Sequence, residues 1–279
     1  MEKVELVRYL GFRDLIIKIG NLFLKPAYWV YERWLWFQIK NGPFPSHVAI
    51  IPDGNRRWAR RLGLEPHIGH EYGYEKLKEV IDWLFDLNIN AVTVYAMSNE
   101  NCLYRPEPEK QHLFKIIAKG LDELISKANE LCKKDVKVKV IGRLDIIPDF
   151  LKIRIKKIEE LTSKNNSRIL TIALCYGGRQ EILDAVKKLV KDVVNGELSI
   201  DNIDEDVFTK YLYTEFLGSL QEPDLIIRTS GEIRISNFLL WQSAYSELYF
   251  CEAFWPEFRK IDLWRAIRSY QRRERRFGH

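Results

Sequence analysis

The sequence predicts an α/β fold: a single domain on a mostly parallel central sheet of about six strands flanked by helices, preceded by a helical arm. Three observations carry this. Six short, apolar, β-branched runs recur along the chain, nearly continuous as in strands buried on both faces. Helical stretches alternate with them. The chain has 279 residues, 46% hydrophobic and 30% charged, enough for a large core and unlike a disordered or collagen-like composition.

The first 45 residues read differently from the rest. Leu15, Ile16, Ile19, Leu22 and Phe23 form one apolar helical stripe, with Arg13, Asp14, Lys18 and Asn21 off it. Pro26 ends or kinks that helix. From Tyr28 to Phe37 six of ten residues are aromatic, and three of the eight Trp sit there. Trp and Tyr favour a boundary between apolar and wet surroundings, so this stretch is either a helix packed on protein or one lying on a membrane surface. Lys25, Glu32 and Arg33 exclude a spanning segment. Asn41-Gly42-Pro43-Phe44-Pro45 breaks the arm, 1–45, from the main domain, 46–279.

Within the main domain the expected strands are His47–Ile51, Ala91–Met97, Val136–Ile141, Ile169–Cys175, Asp224–Arg228 and Glu247–Cys251. Helices are expected over about 70–88, 107–134, 148–164, 179–194, 204–217 and 257–275. Pro148 and the acids Asp204, Glu205 and Asp206 suit helix starts.

Charge and cysteine usage narrow the function. Lys plus Arg is 44 against 39 Asp plus Glu, a net +5 that permits an anionic ligand. The basic tail, 259–279, reads as a solvated helix face, and nucleic acid is not an expected partner. Cys102, Cys132, Cys175 and Cys251 are scattered, with neither zinc-site spacing nor a disulfide framework, which suggests a reducing, cytoplasmic setting. No apolar run reaches the ~18 residues of a membrane span, and the start lacks a secretory h-region.

In parallel sheets, ligands bind beyond the carboxyl ends of the strands. After His47–Ile51 comes Pro52-Asp53-Gly54-Asn55-Arg56-Arg57-Trp58, one carboxylate in a basic, glycine-bearing loop. It is either an ordinary turn with a capping Asp or a phosphate cradle of amides and Arg57. After Ala91–Met97 comes Ser98-Asn99-Glu100-Asn101-Cys102-Leu103-Tyr104-Arg105; after Ile169–Cys175, Tyr176-Gly177-Gly178-Arg179. After Asp224–Arg228 comes Thr229-Ser230-Gly231-Glu232-Ile233-Arg234-Ile235-Ser236. Four strand ends thus each offer Arg with Gly, Ser or Asn, which suits more than one phosphate-rich group.

HVAIIPDGNRRWAR, Gly69-His70, SNEN, YGGR, RTSGEIRISNFLLWQSAYSELYF and the closing RRERRFG together resemble the cis-prenyltransferases, the undecaprenyl and dehydrodolichyl diphosphate synthases, from about His47 to Gly278. The resemblance implies Mg²⁺-dependent condensation of isopentenyl diphosphate onto an allylic diphosphate, farnesyl or geranylgeranyl. The product is a polycis-polyprenyl diphosphate, a precursor of a glycosyl carrier lipid. Asp53 matches the metal-binding aspartate; Gly54, Asn55, Arg57 and Trp58 match the allylic diphosphate loop, Asn55 also lying near the proton-loss step; His70 matches a further phosphate contact. Ser98 and Asn101 match the loop over the reacting ends, which Arg105 closes. Arg228, Arg234 and Ser236 match the isopentenyl diphosphate site, and Glu247 a second acid near the metal. Arg276 and Gly278 match a tail that reaches into the partner's site, implying a homodimer. Ala96, two residues before Ser98 on one strand, is expected to line the tunnel for the growing chain. An enzyme peripheral on the membrane would release such a product readily.

The sequence departs from the bacterial pattern at Pro66, at Cys102-Leu103-Tyr104, at Ile233 and at Cys175, and looks archaeal or eukaryotic. No Asp-Asp pair occurs, which sets aside a trans-type prenyltransferase. A non-catalytic partner subunit would lack the loop acid, whereas Asp53, Asn55 and Arg57 are all present.

Overall fold

Strands β1 (His47–Ile51), β2 (Ala91–Ser98), β3 (Val136–Ile141), β4 (Arg168–Tyr176), β5 (Leu225–Arg228) and β6 (Glu247–Phe250) form one sheet in the order β3-β4-β2-β1-β5-β6. Every pairing is parallel. The structure is a computed structural model that describes residues 26–273. Its helices are α1 (26–39), α2 (Asn55–Arg61), α3 (Pro66–Asp86), α4 (Asn99–Tyr104), α5 (Glu107–Ser126), α6 (Ala128–Lys133), α7 (Asp149–Leu161), α8 (Gly178–Val194), α9 (Glu205–Thr209) and α10 (Lys260–Arg272).

All six expected strands form. The helices need more correction. The stretch expected over 107–134 divides at Lys127, which leaves helical angles (φ −96°, ψ 12°) between α5 and α6. The one expected over 204–217 is α9 followed by a 3₁₀ turn, Glu215–Leu220, whose Gly218 lies at φ 54°. Two strand-end loops hold short helices, α2 and α4, which periodicity could not signal because seven and six residues span under two full turns. The apolar stripe from Leu15 to Phe23 lies outside the described residues.

Residues 44–258 form one compact unit. Strands β1, β2, β4 and β5 are largely buried, while β6 is only partly so, and two large clusters pack against the sheet. One gathers Ala49, Ile51, Tyr95, Tyr176 and Phe238; the other gathers Met97, Phe114, Leu121, Val138 and Leu174. Tyr95 and Met97 fall in different clusters although they stand two apart. The cause is an irregularity in the β2–β4 register between them, with Tyr95 opposite Ala173 and Met97 opposite Leu174. The register shifts again between Met97 and Ser98, so strand pairing by itself does not set which way Ala96 faces; Ala96 and Ser98 share partial exposure on either side of the buried Met97. Ala96 keeps partial exposure beside buried neighbours.

Cys102 and Cys175 are joined in a disulfide, with Cα atoms 5.5 Å apart and a sequence separation of 73. This corrects the expectation that scattered cysteines stay unpaired. Cys102 lies in α4, just beyond β2, and Cys175 lies near the end of β4; β2 and β4 are sheet neighbours, so topology brings the thiols together.

Residues 26–43 and 259–273 make up the second unit. In it α1 and α10 lie side by side. Trp36 and Trp264 rings stand 5.4 Å apart, Arg265 Nε donates to the Tyr31 hydroxyl at 3.2 Å, and Gln271 Nε2 donates to the Ile39 carbonyl at 3.0 Å. A Cβ at Gly42 would stand 2.6 Å from Gln271 Cδ, so a glycine lets the chain turn there. The other face of α1 is open: Trp29 is 59% exposed, Val30 58%, Trp34 50% and Phe37 70%. Arg33 lies over Trp29 and Lys40 over Phe37. Among the described residues no helix is long and apolar enough to cross a membrane.

Candidate functional site

The sheet order fixes where a ligand can sit. The chain leaves β1 toward β2 on one side, while β5 and β6 lie on the other, so connections part between β1 and β5. Crevices at such points bind ligands in open α/β sheets. At this place the loop after β1 meets the loop after β5.

Asp53 is the centre of that meeting. Its Oδ2 accepts from Arg228 Nη2 at 2.8 Å, its Oδ1 accepts from the Gly54 amide at 2.6 Å, and Arg57 Nη2 stands 3.4 Å away. Two backbone anchors hold the loop. The Thr229 hydroxyl donates to the Asp53 carbonyl at 2.7 Å, and the Trp255 amide donates to the same carbonyl at 3.0 Å. Burial alone would raise the carboxyl's pKa; the Arg228 hydrogen bond and charge, with Arg57, outweigh it and hold Asp53 below the ordinary range. Asp53 is therefore ionised at neutral pH.

Gly54 takes φ 101°, and a Cβ there would stand 2.6 Å from Phe254 Cδ1 and 2.8 Å from Ser230 Cβ. Both the backbone angle and the crowding require glycine. Asn55 opens α2 against α3. A Cβ at Gly73 would meet Asn55 Oδ1 at 2.3 Å, and one at Gly69 would meet the Asn55 carbonyl at 2.2 Å, so these two glycines let the helices close on Asn55. Its amide donates to the Pro52 carbonyl at 3.3 Å, while Oδ1 is buried with no hydrogen-bond partner. Trp58 is buried and packs on Tyr72, ring centres 4.9 Å apart.

Arg228 is 4% exposed. Its Nη1 donates to Ser236 Oγ at 2.7 Å and to the Arg234 carbonyl, and its Nε is buried without a partner. Arg57 spans toward the same loop, donating to Ser230 Oγ and to Glu232 Oε1, both at 2.6 Å. Glu232 also accepts from Arg234. Asp53, Arg57, Arg228, Arg234 and Ser236, far apart in sequence, thus form one hydrogen-bonded cluster. Glu232, Thr229 and Ser230 belong to it too. They stood in plain view within RTSGEIR, but nothing in a single sequence tells which polar residue of a loop points inward.

A second group sits beyond β2. Ser98 caps α4, its hydroxyl accepting from the Asn101 amide at 3.1 Å. Arg105 donates to Asn101 Oδ1 at 3.0 Å and to Glu109 Oε1 at 2.9 Å. His70 Nε2 donates to the same Glu109 oxygen at 3.4 Å, and Arg56 lies 3.6 Å from the other. Burial, then the Arg105 charge, pushes His70 down to about 4, so its ring is neutral near pH 7. Glu109, which no motif of the sequence marks, gathers His70, Arg105 and Arg56.

Glu247 stands apart. It opens β6 opposite Leu225, whereas Arg228 pairs with Phe250. Three residues of strand, roughly 10 Å, separate it from the end that meets Asp53, and the structure does not bring the two acids together. Among the described residues, no three His, Cys, Asp or Glu side chains gather as a metal-holding group. A lone ionised carboxylate beside guanidinium and amide donors does suit Mg²⁺, which takes one or two carboxylates and completes its shell with substrate phosphate oxygens and water. Arg276 and Gly278 lie outside the described residues.

Residues 51–278 match the family described as "Putative undecaprenyl diphosphate synthase". The tritrans,polycis-undecaprenyl-diphosphate synthase (GGDP specific) of Sulfolobus acidocaldarius is 52% identical over 260 residues, covering 93% of this chain and 98% of the relative. The geranylgeranyl-diphosphate-specific enzyme of Methanopyrus kandleri is 53% identical over 266 residues, covering 95% and 96%. Lavandulyl diphosphate synthase from Lavandula x intermedia, solved with dimethylallyl diphosphate, superposes with a TM-score of 0.79 at 36% identity, covering 85% of this chain and 99% of that one. A probable undecaprenyl diphosphate synthase from Campylobacter jejuni gives a TM-score of 0.68 at 29% identity, covering 85% and 100%.

Proposed function

The chain belongs to the undecaprenyl diphosphate synthase family, whose members are cis-prenyltransferases, and from that premise we propose how its residues divide the work. The reaction is cis-prenyl chain elongation, and the chain is a polyprenyl diphosphate synthase. The starter is geranylgeranyl diphosphate, as the names of its relatives state of them, and the product is the precursor of a glycosyl carrier lipid.

One observation supports the site most: Asp53 and Arg228, from opposite sides of the sheet's switch point, share a 2.8 Å hydrogen bond. Elongation needs two diphosphates side by side. Gly54, Asn55, Arg57 and Trp58 belong to the allylic diphosphate, with His70 at its rim. Arg228, Arg234 and Ser236 belong to isopentenyl diphosphate. Ser98, Asn101 and Arg105 bound the reacting ends, and Ala96 lies further along the chain's path. Fixed guanidinium and amide donors stabilise the departing diphosphate without reorganising at the moment of bond breaking. Asp53 would hold Mg²⁺ together with substrate phosphate oxygens; when bound, the ion neutralises charge developing on the leaving group.

Two surfaces support partners. The open aromatic face of α1, with Arg33 and Lys40 over its rings, fits the headgroup region of a membrane, where an apolar product must go. Leu183, Val186, Val190 and Val194 lie exposed on one side of α8 and suit a second copy in a homodimer. The deciding experiment incubates the purified chain with Mg²⁺, labelled isopentenyl diphosphate and allylic starters of several lengths. Extension of geranylgeranyl diphosphate in preference to shorter starters is expected; no incorporation with any starter overturns the assignment. Flotation of wild type and a Trp29→Ala, Phe37→Ala variant with anionic vesicles tests the α1 face, equal flotation removing it.

A further inference from the structure

Asn237 follows Ser236 directly, and its backbone is left-handed at φ 65°. Asn tolerates that region better than most residues. Its side chain is used at both ends. Nδ2 donates to Glu100 Oε1 at 2.8 Å, and Oδ1 accepts from the Arg179 amide at 2.9 Å. Its carbonyl accepts from the Gly178 amide at 2.7 Å. The partners dictate the amide's orientation, since a backbone N–H needs an oxygen and a carboxylate needs an N–H. Asn237 therefore ties three strand-end segments together: the loop after β5, the start of α4 after β2, and the start of α8 after β4.

The space around the amide is close. A Cβ at Gly177 would stand 2.7 Å from Asn237 Nδ2. The preceding turn is held from the other side, where the Tyr95 hydroxyl donates to the Ser236 carbonyl at 3.3 Å. Glu100 neighbours Asn101, and Asn237 neighbours Ser236. One hydrogen bond thus links the residue beside the α4 group to the residue beside the β5-loop group.

We propose that Asn237 is a positioning residue that sets the distance between the isopentenyl diphosphate loop and the α4 loop through its bond to Glu100. The proposal rests on the two-substrate reading of the site given above. Bond formation between two bound substrates depends steeply on their alignment, and each substrate's own affinity much less. The Asn237–Glu100 bond accordingly matters for kcat at saturation and little for binding of either diphosphate alone.

The test replaces the donor and then restores it. Asn237→Asp sets a carboxylate against Glu100, and kcat should fall about tenfold or more. The Kd for isopentenyl diphosphate by calorimetry should change less than threefold. Glu100→Gln keeps the acceptor oxygen and should stay within about threefold of wild type. Combined with Asn237→Asp it supplies an amide donor and should recover most of the lost kcat. Glu100→Ala removes the bond without touching the left-handed residue and should reproduce the kcat loss, whatever the folding of the Asn237 variant. An unchanged kcat in Glu100→Ala, or a kcat loss in Asn237→Asp that Glu100→Gln leaves untouched in a folded double variant, overturns the proposal. A wild-type chain inactive in the same assay overturns the two-substrate reading and this proposal together, whereas an active wild type with unaffected variants overturns this proposal alone.

Discussion

Arg228, at the end of β5, donates a hydrogen bond of 2.8 Å to Asp53, on the loop after β1, across 175 positions of sequence. Arg228 is 4% exposed, and its Nη1 reaches both the Ser236 hydroxyl and the Arg234 carbonyl. The acid of the loop after β1 and the base at the end of β5 are therefore a single unit.

Asp53→Ala should lower turnover by about 10²-fold or more, because it removes the proposed metal carboxylate and the acceptor that orients Arg228. Far-UV circular dichroism should stay native. Turnover within a few-fold of wild type at saturating Mg²⁺ would show that Asp53 does not have this role.

The Cys102–Cys175 link closes a loop of 73 positions. Chain-entropy estimates for a loop of that size come to about 4 kcal/mol. Cys102→Ser should lower Tm, by roughly 2–4 °C per kcal/mol in a chain of this size. Thiol titration of the denatured protein should find two reactive cysteines before reduction and four after. Four before reduction would remove the disulfide from the native protein.

Acid should destabilise the protein between about pH 6.5 and 4. Burial pushes His47 down to about 4; its Nδ1–H donates to the Leu220 carbonyl at 2.7 Å, and its Nε2 accepts from the Thr93 hydroxyl at 2.8 Å. In the unfolded chain the ring protonates near 6.5. Below that pH the unfolded state takes up the proton and the folded state does not, so stability present above pH 6.5 is lost as pH falls toward 4, by up to about 3 kcal/mol. Urea midpoints for wild type and His47→Gln across this range check it. The variant, weaker at pH 7, should show a flatter profile, and parallel profiles would clear His47.

Ala96→Leu should shorten the product while sparing the first condensations, since close-packed walls accept little extra volume. Ala96 is partly exposed at an irregularity of β2, beside the buried Tyr95 and Met97. A product ladder of unchanged length, at whatever yield, would remove it from the wall.

Sequence alone determined the strands, because continuous apolar runs such as Val48–Ile51 carry their burial in their composition. It also marked two loops that the structure brings together, since DGN and RTSGEIRIS are local patterns read without folding the chain. The tertiary structure decided which loop residues meet. Glu109, Glu232 and Asn237 look like ordinary surface polar residues until parallel pairing stacks four strand ends along one edge of the sheet. The Cys102–Cys175 pair and the distance of Glu247 from Asp53 follow from strand order and register, which no local pattern encodes. Ala96 shows the converse limit: alternation is a property of a regular strand, and the two register shifts between Tyr95 and Ser98 make the facing of Ala96 a matter for the tertiary structure.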